Sequence, residues 1–142
     1  MKMRSRKAKG RRLVAELREA ILRAFPELQR EDLLIQPTSV GGEDLKLSPA
    51  AKRLFPFAVE CKNQERIAIW SAIEQAESNA QGSLPAVCFS RNRVKEPWIC
   101  ITLPVLLNLL QRVKSPLVEA PADHRKVGKY DKPYKGGTDD AG

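Results

Sequence analysis

Residues Phe57-Ala58-Val59-Glu60-Cys61-Lys62 constrain this chain more than any other segment. The run reads as a short buried strand, yet it carries a carboxylate and an amine two residues apart. Side chains alternate faces along a strand, so Glu60 and Lys62 share one face while Val59 and Cys61 share the other. An acid and a base on one face of a core strand are costly unless they are paired, metal-bound or functional. Any fold for this chain has to accommodate that pair beside its core. Upstream, Gly41-Gly42 signals a turn, and Asp44 follows it closely enough to lie on an adjacent strand.

The rest of the chain supplies elements to surround that strand. From Arg11 to Leu28 the pattern is helical, with Leu13, Leu17, Ala20, Ile21, Ala24 and Leu28 on one face. Glu16 then falls at the edge of that face and Glu19 nearly opposite its centre, so Glu16 is the better candidate for an acid reaching a site. Pro26 should end the helix. Leu33 to Gln36 reads as a short strand, and Asp44 to Leu47 as another, with Leu45 and Leu47 inward. Ser48-Pro49 has the form of a helix cap followed by proline at the first helical position. Residues 66–80 form a second amphipathic helix, with Gln75 and Asn79 along one edge of its apolar face. After breaks at Gly82 and Pro85, Ala86 to Phe89 is a strand. Arg91-Asn92-Arg93 makes a basic turn, Trp98 to Ile101 is a further strand, and a last helix runs from Pro104 through Gln111. The order predicts an α/β fold with a small mixed sheet flanked by helices. Trp70 and Trp98 are expected in the core rather than as stacking platforms for bases.

Length and charge bound the function. At 142 residues the chain suits one domain, with residues 13–116 as its folded part. Residues 1–12 hold seven basic residues (Lys2, Arg4, Arg6, Lys7, Lys9, Arg11 and Arg12) and almost nothing apolar, so a flexible basic arm is expected, which either follows a phosphate backbone or is a solvated tail. Residues 117–142 are Pro-, Gly- and Lys-rich and are expected to be a polar, disordered tail. The 25 Lys and Arg against 17 Asp and Glu give a net charge of +8, which favours a polyanionic partner. Arg91, Arg93 and Lys95 either grip phosphates or form a solvated turn. Cys61, Cys88 and Cys100 have no metal-ligand spacing and read as free thiols in a reducing compartment, which together with the lack of any ~20-residue apolar stretch points to the cytoplasm and away from a membrane. His124, the only histidine, lies in the tail, which argues against a zinc site or a histidine-based triad.

The residue types at the strand suit phosphodiester hydrolysis. Mg²⁺ takes hard oxygen ligands, typically one or two carboxylates with waters and substrate phosphate, and Mn²⁺ is expected to substitute. Asp44 and Glu60 would supply carboxylate oxygens, and the main-chain carbonyl of Cys61 another. Lys62 can orient a water or stabilise developing charge. The tripeptide alone is a weak signal, since Asp44-Leu45-Lys46 repeats its pattern. A structural ion pair would explain Glu60 and Lys62 but would leave Asp44 and Gln75 to coincidence.

Asp44, then Glu60-x-Lys62 on the next strand, then a helix carrying Gln75, resembles the PD-(D/E)XK nuclease superfamily. The run from Gly42 through Ser48, with Phe55-Pro56 and Val59-Glu60-Cys61-Lys62-Asn63, is similar to small phage-encoded members related to Holliday junction resolvases. The resemblance covers about residues 11–112 and departs from the family's name in having Glu43 where a proline would precede Asp44. It implies a restriction-endonuclease-like core, metal-dependent DNA cleavage, Asp44 and Glu60 as metal ligands and Lys62 as the catalytic lysine. It also implies that Glu16, or less well Glu19, and Gln75 join the catalytic set. Branched or junction DNA as substrate, a bacterial or phage-infected host cell and a homodimer follow from the resemblance alone. The competing reading is a basic nucleic-acid-binding accessory protein that does not cleave.

Overall fold

The computed structural model describes residues 3–37 and 41–113; the predicted C-terminal tail with His124 lies outside them. The chain divides into two compact units, one through Leu103 and one from Pro104 onward. The first unit holds helix α1 (Met3–Ala24), strands β1 (Leu33–Ile35) and β2 (Leu45–Leu47), helix α2 (Pro49–Leu54), strand β3 (Phe57–Asn63), helix α3 (Ile69–Asn79) and strands β4 (Leu84–Ser90) and β5 (Trp98–Cys100). The second contains helix α4 (Leu103–Arg112), which begins at the last residue of the first. The class is mixed α/β, as the order of elements predicted. No helix among the described residues is long and apolar enough to cross a membrane.

Helix α1 starts well before the expected boundary. Residues 3–12, read from composition as a flexible arm, are its first turns, because Lys and Arg are themselves good helix formers. Its buried residues are Leu13, Val14, Leu17 and Ile21, whereas Ala20 and Ala24 are exposed. The helix packs on both β1 and β3, and burying Val14 rather than the two alanines turns the apolar face away from Glu16. The helix ends before Pro26, with the Phe25 amide donating to the Ile21 carbonyl.

β1 and β2 form an antiparallel pair with Leu34 opposite Lys46. Leu45 and Leu47 point inward, as their alternation predicted. The Ser48 hydroxyl accepts from the Ala51 amide at 3.1 Å and donates to Asp32 Oδ1 at 2.6 Å, so the cap of α2 is tied to the turn before β1. That bond, with the Gln29 amide at 2.9 Å, holds the Asp32 carboxyl below its usual range.

The second sheet has the order β3-β4-β5, parallel between β3 and β4 and antiparallel between β4 and β5. A parallel pair needs a crossover, and α3 provides it, packing on both strands. Ala72 and Ala76 of α3 bury against Val87, with Ile69, Ile73, Phe89 and Cys100 around them. Helix α3 begins three residues later than its apolar pattern suggested. The Gln64 amide still donates to the Ser90 carbonyl, so pairing of β3 with β4 continues where the helix was expected to start. β4 conversely begins earlier and includes Pro85. The Leu84 amide faces β3, bonded to the Pro56 carbonyl at 3.0 Å, so the Pro85 nitrogen faces the other edge. β5 pairs only with Val87 to Phe89, and no ladder bond is lost there.

The two sheets meet at Asp44. Its carbonyl accepts from the Gln36 amide at 3.0 Å and its amide donates to the Val59 carbonyl at 3.4 Å. Gly42, at φ +110, makes the preceding turn that a residue with a side chain would resist. Both tryptophans depart from expectation: Trp70 is 77% and Trp98 61% exposed. Trp98 lies on a three-residue edge strand that pairs with β4 alone.

Candidate functional site

Four of the residues singled out in the sequence converge on β3. Asp44 Oδ2 accepts from the Cys61 amide at 2.7 Å, taking the place a strand carbonyl would otherwise fill. Glu60 directly follows Val59, whose carbonyl holds the Asp44 amide, and is only 5% exposed. Lys62 Nζ stands 3.3 Å from Glu60 Oε1 and donates to Gln75 Oε1 at 2.9 Å. Glu60 and Lys62 therefore face α3, as the alternation of the strand requires. Val59 and Cys61 face α1, whose Lys9 carbonyl accepts from Asn63 Nδ2 at 3.1 Å.

Burial pushes the Glu60 carboxyl above its ordinary range, and the charge of Asp44 pushes it further; Lys62 and a hydrogen bond from Asn79 oppose the rise. Burial likewise raises Asp44, against the Cys61 amide and the charge of Lys62. Two carboxylates thus share one ammonium in a partly desolvated place. Asn79, placed on the same helix edge as Gln75 by the 3.6-residue period, is the contributor that sequence reasoning left without a role. Each of these two α3 amides positions one of the two charged groups on β3.

The donor set fits a hard divalent cation. Asp44 and Glu60 offer carboxylate oxygens and carry an excess of negative charge that a cation would neutralise. The Cys61 carbonyl projects to the same strand edge as its amide, and that amide is bonded to Asp44. Among the described residues no group of three or more His, Cys, Asp or Glu side chains is placed to hold a metal ion. Mg²⁺ commonly takes two carboxylates and completes its shell with water and phosphate.

Cys61 takes no part through sulfur. The neighbouring Cys88 thiol, burial and the charges of Asp44 and Glu60 all push its thiol up, so it stays protonated. Cys88 is buried as well, while Cys100 is partly exposed, and all three are free thiols.

Glu16 is exposed on α1, and its charge is felt by the Cys88 thiol rather than by Asp44 or Glu60. Glu19 forms an ion pair with Arg30 at 2.9 Å. Neither acid is brought to the carboxylate pair.

A cleft of about 540 Å³ opens beside Lys62, lined also by Lys9, Gly10, Arg66 and Asn92. Asp44 and Glu60 lie outside its lining. Lys9 belongs to the basic N-terminal run, whereas Arg66 is a cation that the sequence did not single out, because it sits in no patterned basic turn. Arg91, Arg93 and Lys95 are exposed around the β4–β5 turn, and Arg11 and Arg12 are exposed on α1. Arg93 takes φ +65, a left-handed conformation unusual for its residue type. The Asn92 amide donates to Glu65 Oε1 at 2.9 Å, which fixes this turn to the loop after β3. Comparison of the chain with protein-family models, with curated proteins and with solved structures gave no match.

Proposed function

We propose that the protein is a metal-dependent endonuclease of DNA with a restriction-endonuclease-like core. The observation that carries this reading is the arrangement on β3. Lys62 Nζ sits between Glu60 Oε1 and Gln75 Oε1, and Asp44 is bonded to the residue between Glu60 and Lys62. A purely structural ion pair would not call for a second carboxylate that raises the cost of the first.

Asp44, Glu60 and the Cys61 carbonyl would hold Mg²⁺ or Mn²⁺. Such an ion supplies Lewis-acid stabilisation of the phosphate and a lower pKa for water bound to it. The chain's own groups do the rest. Lys62 offers an ammonium that can orient a water and meet charge developing on the phosphate. Gln75 is a positioning residue, keeping that ammonium at the end of the strand. Asn79 plays the same part for Glu60. Glu16, expected from the resemblance to join them, has no contact that supports a role. Branched or junction DNA is the favoured substrate on the sequence resemblance, and the cytoplasm the compartment on the three free thiols. A homodimer rests on the same ground.

The test uses supercoiled plasmid and a synthetic four-way junction, each incubated with the full chain in Mg²⁺, Mn²⁺ or EDTA. Nicking that requires metal and disappears in Glu60→Gln and Lys62→Ala is the expected result. Binding without cleavage in any metal, unchanged by those substitutions, would leave the basic accessory protein as the correct reading.

A further inference from the structure

Two hollows lie side by side on the first unit. The cleft beside Lys62 carries the cations Lys9, Lys62 and Arg66. A second hollow of about 280 Å³ is lined by Phe89, Arg91 and Trp98. Gln64 and Glu65 line both, so the two adjoin and lie along one track on the surface. Its lining carries Lys9, Lys62 and Arg66 in the first part and Arg91 in the second; Glu65 is the one carboxylate in the lining, and Lys62 is also paired with Glu60, so Lys9, Arg66 and Arg91 carry the excess. The Glu65 carboxylate accepts the Asn92 amide, so it also anchors the turn that presents Arg91.

Trp98 stands at the far end of the track. It lies opposite Phe89 in the β4–β5 register, on an edge strand, and is 61% exposed. A large apolar ring left in water beside arginine offers a flat stacking surface with phosphate contacts next to it. Successive bases of a single strand stack on such rings, and every base has a face to offer. A duplex keeps its bases stacked on each other and gives the indole nothing.

From this track we infer that the protein binds unpaired nucleotides, with Trp98 stacking on a base and Arg91 and Arg66 holding flanking phosphates. The inference rests on the nuclease reading only in placing the cleaved phosphate near Lys62. It deepens that reading by assigning a substrate with single-stranded character.

Binding is measured in EDTA, so that it does not depend on cleavage. The chain has two tryptophans, and Trp70→Phe leaves Trp98 as the sole indole reporter. A (dT)20 strand should quench its emission, whereas an abasic strand with the same phosphates and a 20-base-pair duplex should not. By anisotropy of labelled strands, Trp98→Ala should weaken (dT)20 binding about tenfold, the loss of one base stack, and leave the abasic strand unaffected. Trp98→Leu, which keeps apolar cover over Phe89, should lose affinity as Trp98→Ala does. Arg91→Ala should weaken both strands. Absence of quenching, unchanged (dT)20 affinity in both Trp98 variants, or equal losses on the duplex would each overturn the inference. Quenching with no metal-dependent nicking would refute the nuclease and leave the track standing; nicking without quenching would do the reverse.

Discussion

Replacing Lys62 by methionine keeps the apolar stem that lies along α3 and removes only the ammonium. Glu60, whose side chain is 6% exposed, then loses the cation 3.3 Å away and is left facing Asp44. Removing one partner of a fully buried ion pair costs about 3–5 kcal/mol, and an exposed pair is worth about 0.2–1 kcal/mol. Lys62 is 24% exposed at its side chain, so the pair lies between these limits. Lys62→Met should therefore lower stability by about 2 kcal/mol, a large fraction of a typical total. Glu60→Gln removes the buried charge and its repulsion with Asp44, and should be neutral or stabilising. Combining the two should recover most of the loss. Urea unfolding at pH 7, followed by far-ultraviolet circular dichroism, measures all three midpoints at a common slope.

The loss should also depend on pH. A carboxyl whose folded pKa is raised binds its proton more readily in the folded chain than in the unfolded one. Stability therefore falls as pH rises from the ordinary carboxylate value through the raised one. Without Lys62 that fall should deepen, so the deficit of Lys62→Met at neutral pH should shrink in acid. If Glu60→Gln costs as much as Lys62→Met, the pair stabilises the fold, and the argument for a charge held at a cost is wrong.

Asp44 separates charge from hydrogen bonding. Asp44→Asn keeps an acceptor for the Cys61 amide and should melt near the wild-type temperature, whereas Asp44→Ala strands that amide and should cost about 1–3 kcal/mol. Millimolar Mn²⁺ should raise the melting temperature of the wild type, by the equivalent of about 2.7 kcal/mol at a hundredfold excess over its dissociation constant. That gain should vanish with EDTA, in Asp44→Asn and in Glu60→Gln, and should weaken as pH falls through the raised carboxyl values, where protons compete with the ion. Gly10 sits inside α1 with nothing within 4 Å of an added Cβ, so Gly10→Ala should stabilise the chain by about 1 kcal/mol in the same melts.

The strand carrying Glu60 and Lys62 was legible because alternation fixes faces whatever surrounds a strand. The Ser48-Pro49 cap was legible because its chemistry is local. Gln75 and Asn79 followed from the helical period, and Gln75 reaches Lys62 as that period allowed. What failed depended on neighbours. The phase of α1 was set by its resting on β1 and β3 together, which buries Val14 and leaves Ala20 exposed, so Glu16 turned out of reach. The basic first turns of α1 had no apolar pattern to betray a helix. Trp70 and Trp98 were assigned inward by size, but their exposure depends on whether another element covers α3 and β5, and a ring's size says nothing of that. The cleft formed by Lys9 and Arg66 joins residues 57 positions apart in no motif.

The bond from the Cys61 amide to Asp44 has a kinetic meaning beyond its geometry. Asp44 is one of the few links between the β1–β2 ribbon and β3, and its partner lies 17 residues further along the chain. The ribbon can pair locally, but the carboxylate reaches Glu60 only when the ribbon docks, a non-local step of the kind that tends to come late in folding. The Cys61 amide should therefore acquire protection from hydrogen exchange at the moment the two carboxylates are brought together. One backbone proton would time the assembly of the whole site.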